Sequence, residues 1–220
     1  MPAYIHTEDD LKSALKKLGK ADPRMTKLVK LAGIPPLRRR EAGFAGLIQI
    51  IIGQQVSTAS AAAIWGRLFA AFDPFEAESL QRVRPATLAR IGLSTPKIRT
   101  VKAIATAISN RELDLVAIGD LPADDAHTML TAVHGIGPWT ADIYLLTCLG
   151  HSDAWPAGDL ALQEAARLLF KLRTRPTVKE MQPLAEPWRP WRGAAACVLW
   201  TYYRDAKRRD GAPIQPAMTR

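Results

Sequence analysis

The chain is expected to be all-α, with helices arranged as one domain or as two small lobes sharing a cleft, and three observations carry that expectation. Alternating runs of Val, Ile, Thr and aromatic residues hardly occur, so strand signals are scarce. Ala, Leu, Lys and Arg recur instead at three- and four-residue spacings. Capping residues and prolines punctuate the sequence at helix-length intervals. With 220 residues, 48% of them hydrophobic, the chain can bury a substantial core.

Taken in order, Thr7 with Asp10 caps a first helix ending near Gly19, and Asp22-Pro23 opens a second that stops around Gly33-Ile34-Pro35-Pro36. The double proline and Arg38-Arg39-Arg40 read as a linker. Residues 44–55 are almost wholly apolar apart from Gln49 and the closing Gln54-Gln55, and Ser57 caps a helix through Trp65 and Phe69; these two are expected to be the most buried helices. Pro85 and Gly92 bound a short helix, and Thr95 reads as the cap of a helix over 97–110 with Pro96 at its first position. A helix from about 124 to 133 runs into Gly135-Ile136-Gly137, and another leaves at Pro138 for about Gly150. Asp159 heads 160–170, Thr177 heads a short helix, and Pro190 begins a last long one with Trp191, Cys197, Trp200 and Tyr203. That makes roughly ten helices, with no internal repeat and no linker long enough to separate domains. The expected division is one lobe at about 1–36 plus 151–220 and another at about 37–150.

Charge narrows the partner. Thirty Lys+Arg against 21 Asp+Glu give a formal charge of +9, which favours a polyphosphate backbone, DNA or RNA, over a small anion. Arg38-Arg39-Arg40 and Arg204 with Lys207-Arg208-Arg209 are the basic clusters, read either as solvated faces or as phosphate contacts. Cys148 and Cys197 sit in apolar helical segments and read as two buried thiols, not as a disulfide or metal site, which fits a reducing compartment. His6, His127, His134 and His151 have no ligand spacing, so no transition-metal site is expected. Glu8, Asp9 and Asp10 follow soon after Met1 with no secretory apolar region, and no apolar run reaches membrane-spanning length. The expectation is a cytoplasmic protein, nucleoid-associated if bacterial, with no membrane contact.

The segment Leu130 to Ala141 followed by Gly158-Asp159 is the most informative in the chain. Gly135 and Gly137 allow a tight turn and close backbone approach, and Pro138 at a helix start leaves several N–H groups facing outward, an anion site. Asp159, twenty residues after Trp139, reads by itself as a helix N-cap.

Four pieces in this order, Phe44 with Ile51-Ile52-Gly53-Gln54-Gln55-Val56-Ser57, Gly135-Ile136-Gly137-Pro138-Trp139-Thr140-Ala141, Pro156-Ala157-Gly158-Asp159, and Trp188-Arg189-Pro190-Trp191-Arg192 with Trp200-Thr201-Tyr202-Tyr203, resemble the helix-hairpin-helix (HhH-GPD) DNA glycosylases. The branch they resemble is the AlkA-like one, 3-methyladenine DNA glycosylase II, in a compact form without its N-terminal mixed domain. The resemblance implies two helical lobes flanking a DNA-binding cleft, Asp159 as the catalytic carboxylate, and Trp139, Trp200, Phe44 and Ile143 at the base pocket. Ile143 stands where a well-known form has a tyrosine. Trp139 stands where the strand-cutting branch has an attacking lysine, so a monofunctional enzyme is implied. Gln54, Gln55, Ser57, His134, Gly135, Ile136, Gly137 and Thr140 would contact DNA, with Gln55 as the plug entering the duplex; exposure towards DNA would relieve the cost of two amides in an oily helix end.

No cofactor is implied, apart from a Na+ or K+ held by main-chain carbonyls near His134 and Ile136. The implied function is hydrolytic release of flipped alkylated purines, 3-methyladenine or 7-methylguanine, from double-stranded DNA by a monomer. Neutral lesions such as ethenoadenine or hypoxanthine, a glycosylase/lyase or a glycosylase for oxidised or mismatched bases, and a non-catalytic module that binds DNA structure stand as alternatives; the sequence has no four-cysteine iron–sulfur loop, and a mere binding module has no need of Asp159.

Overall fold

Helix starts follow the side chains that can satisfy their first N–H groups. In the computed structural model, which describes residues 4–209, α1 (Glu8–Ala21) opens with a capping box in which Thr7 accepts from the Asp10 N–H and Asp10 accepts from that of Thr7. Asp22 caps α2 (Pro23–Ala32), Ser57 caps α4 (Thr58–Ala70), Asp159 caps α10 (Leu160–Phe170), and Thr177 with Glu180 closes a second box on α11 (Val178–Ala185). The remaining helices are α3 (Phe44–Gly53), α5 (Ala77–Arg82), α6 (Pro85–Ile91), α7 (Thr95–Ser109), α8 (Ala123–Thr131), α9 (Pro138–Ile143) and α12 (Arg192–Arg209). The described residues hold no sheet, only one antiparallel bridge between Tyr4 and His151.

They fall into two compact units, 4–39 with 145–209, and 40–144. In the first, α2 and α10 pack on α12, whose Ala194, Ala195 and Ala196 are fully buried and let neighbours approach closely. Trp188 lies at its centre, with Trp155 edge-on at 5.6 Å and Phe170 stacked at 6.1 Å. The second unit is built around α3, where Leu47, Ile48, Ile50, Ile51 and Ile52 are all at most 3% exposed. Each such side chain contributes about 1.5–3 kcal/mol by leaving water.

Several expected boundaries are corrected. α4 is not among the most buried helices: only Ala61 and Leu68 are buried, Ile64 and Trp65 are half-buried, and Phe69 is 49% exposed. α7 has Ser94 at its N-cap position, without a side-chain cap bond, and Thr95 is already helical. α5 went unforeseen, being one and a half turns long with no side-chain cap. The helix leaving the hairpin changes to a π-helix over Tyr144–Leu149. The last helix begins at Arg192, two residues after Pro190, because the Trp191 N–H turns back to the Trp188 carbonyl and the first helical bond runs from Ala195 to the Trp191 carbonyl. No helix among the described residues is long and apolar enough to cross a membrane.

Candidate functional site

In the unit of 40–144, the turn between α8 and α9 is drawn tight by the Ile136 N–H, which donates to the Val133 carbonyl at 3.0 Å. Its two glycines have different reasons to be there. Gly135 has φ +88°, and a Cβ on it would lie 2.3 Å from Thr100 Oγ1 of α7, so both backbone and packing demand glycine. Gly137 has an extended backbone and is exposed, with nothing in the protein that a side chain would strike. His134 is exposed, Ile136 is buried at 4%, and Trp139 is half-buried. The two hairpin helices are further linked by His127 Nε2, 3.8 Å from Asp142 Oδ1; burial holds the imidazole below its ordinary pKa.

The α3–α4 connection in the same unit is exposed at Gln55, Val56 and Ser57, and Gln55 adopts φ +53°, a left-handed conformation rare outside glycine. Gln54 corrects an expectation. Its amide is satisfied inside the protein, donating from Nε2 to Thr140 Oγ1 at 2.8 Å, not by facing outward. Thr140 is 3% exposed, and its hydroxyl accepts this bond. Ser57 serves as the α4 cap, accepting from the Ser60 N–H at 3.1 Å. Phe44 packs, stacking on Phe75 at 5.6 Å within a cluster completed by Trp65 and Phe69, and Ile143 is buried.

In the other unit, Asp159 sits half-buried at the start of α10. Its Oδ1 accepts from the N–H groups of Ala161 and Leu162, each at 3.0 Å, and from the indole Nε1 of Trp200 at 3.1 Å. The loop that delivers it is firmly held. Asp153, 8% exposed, pairs both oxygens with Arg192 (Nε–Oδ1 2.8 Å, Nη2–Oδ2 2.9 Å) and takes Arg189 Nη1 at 2.7 Å. The Gly193 N–H donates to the Ser152 carbonyl, Ser152 Oγ to the Pro190 carbonyl, and buried Gln163 Nε2 to the Ala157 carbonyl. The Trp188-to-Arg192 segment is thus a brace for the aspartate loop. Asp153 and Arg192 escaped the sequence reading because their partnership spans 39 residues and leaves no local pattern.

Of the basic runs, Arg39 donates to the Cys148 carbonyl at 2.9 Å and Arg40 to Gln49 Oε1 at 3.0 Å, so both serve the fold. The side chains of Arg208 and Arg209 lie outside the described ones. Cys197 is enclosed at its sulfur, and burial pushes its thiol up to about 11. No cluster of three or more metal-ligating side chains occurs among the described residues.

Residues 48–190 match the family model for the HhH-GPD superfamily base excision DNA repair protein. Over 220 aligned residues the chain is 29% identical to a DNA-3-methyladenine glycosylase of Bacillus subtilis, covering 90% of this chain and 70% of that protein. Among solved structures it is similar to the Schizosaccharomyces pombe 3-methyladenine DNA glycosylase in complex with abasic DNA, with a TM-score of 0.74 and 29% identity over 86% of this chain and 95% of that one. It is similar also to a DNA-3-methyladenine glycosidase of Bacillus halodurans, with a TM-score of 0.78 and 27% identity over 89% and 91%.

Proposed function

The chain belongs to the HhH-GPD superfamily of base excision DNA repair proteins, and we propose that it is a monofunctional DNA glycosylase that hydrolytically releases alkylated purines of the 3-methyladenine and 7-methylguanine type and leaves an abasic site. The activities named for the relatives in Bacillus and Schizosaccharomyces support this reading. The observation that carries it is Asp159: a half-exposed carboxylate fixed through Oδ1 by three neutral N–H donors, on a loop braced from below.

The chemistry asks for little more. Breaking the N-glycosidic bond builds oxocarbenium character on the sugar, and a fixed carboxylate nearby lowers that charge's energy and orients the water that replaces the base. An alkylated purine is already cationic and departs without a strong general acid. An electron-rich ring such as Trp200 favours electron-poor bases through cation–π attraction. Trp139 cannot form a Schiff base, and the first lysine after the hairpin is Lys171, the C-cap of α10, which supports hydrolysis without strand cleavage.

The exposed face of the hairpin, around His134 and Gly137, is the proposed duplex contact, and Gln55 is the proposed plug for the gap left by the extruded base. Among the described residues the carbonyls of His134 and Ile136 accept no main-chain hydrogen bond, which suits them to hold a Na+ or K+ next to a phosphate. The protein would act as a monomer, with affinity falling steeply as salt rises.

The test is release of free methylated base from alkylated duplex DNA by the wild type and by Asp159→Asn, with strand breaks scored before and after alkali. We expect release by the wild type, breaks only after alkali, and loss of release in the variant. Undiminished release by Asp159→Asn, or breaks without alkali, would overturn the reading.

A further inference from the structure

A lysine in the first turn of a helix opposes the helix dipole, and α7 has one at Lys97. Its ammonium does not serve its own helix. Nζ donates to the carbonyls of Ile52 at 2.7 Å and Gln54 at 2.8 Å, the last groups of α3 and the residue directly before Gln55. A cation at the C-terminal end of α3 has the favourable sign for that helix. On the other side of the same connection, Gln54 Nε2 reaches Thr140 in the helix that leaves the hairpin. Two elements distant in sequence therefore grip the residue preceding Gln55, by its carbonyl and by its amide. Gln55 itself holds φ +53°, a conformation that persists in a non-glycine residue only where the surroundings impose it.

We propose that Lys97 is a positioning residue for DNA insertion: it holds the 53–56 connection in its inserting shape before DNA arrives, so that Gln55 enters the duplex without an ordering penalty. This rests on Gln55 being the plug.

The protein contains its own control. One turn and a half further along α7, Lys102 does the same job for a different helix end, donating to the carbonyls of Leu80, Gln81 and Val83 at the close of α5. Both lysines are half-buried, and both satisfy carbonyls that a helix terminus leaves unpaired. Only Lys97 holds the proposed plug. Burial also depresses the Lys97 ammonium's pKa.

The readout is a ratio: affinity for a duplex carrying a stable abasic-site analogue divided by affinity for the same duplex undamaged, measured by fluorescence anisotropy on the full chain. Phosphate contacts act on both duplexes, whereas a plug acts on the gap alone, and a loss of folded protein cancels in the ratio. We expect Lys97→Met to lower it by about tenfold, the scale set by ordering one or two loop residues on binding. Lys102→Met should leave it unchanged while lowering thermal stability to a similar extent. Should Lys97→Met give no soluble protein, Lys97→Gln, which can still reach one carbonyl, should show a smaller fall of about threefold. A Lys97 variant whose ratio equals that of Lys102→Met would overturn the inference while leaving the glycosylase reading intact. A wild type with no preference for the abasic duplex would overturn the plug itself. A wild type that releases no methylated base would overturn the reading of function.

Discussion

Asp22 and Asp159 are built alike and end in different situations. Each caps a helix in the same unit, and each accepts a hydrogen bond from a tryptophan indole: Trp188 Nε1 to Asp22 Oδ2 at 2.9 Å, Trp200 Nε1 to Asp159 Oδ1 at 3.1 Å. Around Asp22 the Arg24 fork closes on both oxygens, with Nε 2.9 Å from Oδ1 and Nη2 2.8 Å from Oδ2, and the residue is 5% exposed. Asp159 takes three neutral donors on one oxygen and stays half-exposed. The same local chemistry yields a structural strut in one place and a candidate reactive group in the other. What separates them is access to the surface, not the cap.

The sharpest way to break this comparison is to exchange each carboxylate for its neutral isostere. Asparagine caps a helix about as well as aspartate, so Asp159→Asn should keep its thermal midpoint and lose base release by about a thousandfold, the scale of a removed charge-stabilising group. Asp22→Asn should do the reverse. The Arg24 guanidinium loses its counter-charge, costing about 1–2 kcal/mol, or roughly 2–6 °C in midpoint, while kcat is unchanged. Calorimetry and single-turnover base release on both variants decide the matter. Equal effects on the two readouts would mean that the caps are equivalent and that Asp159 is structural too.

A smaller effect follows from pH. Burial by itself would raise the Asp22 carboxyl, but the bonds from the Arg24 guanidinium, the Trp188 indole and the Arg24 backbone N–H outweigh it and hold the group below the ordinary carboxylate range. A carboxyl depressed in the folded state gives stability that is fully present above its unfolded pKa, about 4. That stability is lost as pH falls below that value towards the folded pKa. The midpoint of the wild type should therefore drop on acidification from about pH 5 downward more steeply than that of Asp22→Asn. Parallel slopes in thermal melts across that range would remove the Arg24 pairing from the account.

The comparison also marks what was legible in advance. Caps, proline starts and the hairpin turn are local, and the sequence read them correctly at Thr7, Asp22, Ser57, Thr177 and Pro138. Asp159 was legible as a cap and, by resemblance, as a candidate catalytic group, and the Arg24 fork that closes on Asp22 stands only two residues from it. The indole contacts that the two aspartates share arrive from 41 and 166 residues away, and the Asp153–Arg192 pair that braces the loop spans 39. Gln54 was read as outward-facing because its amide closes an apolar run, and Thr140 by resemblance; their mutual bond spans 86 residues and leaves no local pattern. Lys97 offered one unused signal, a positive charge in a helix's first turn, where the dipole disfavours it.

The least perturbing test separates the two roles of Trp200. Phenylalanine in its place keeps a ring for stacking and removes the indole N–H, one of three donors on Asp159 Oδ1. A neutral hydrogen bond is worth about 0.5–1.5 kcal/mol net, so Trp200→Phe should lower kcat by roughly two- to tenfold. KM should stay near the wild-type value if the ring face still meets the base. Trp188→Phe, the matching change at Asp22, should leave kcat alone and lower the thermal midpoint by a few degrees, since its ring is fully buried and its donor serves only the strut. A Trp200→Phe enzyme with unchanged kcat and raised KM would assign Trp200 to the base alone and leave the two backbone N–H groups of α10 to hold Asp159.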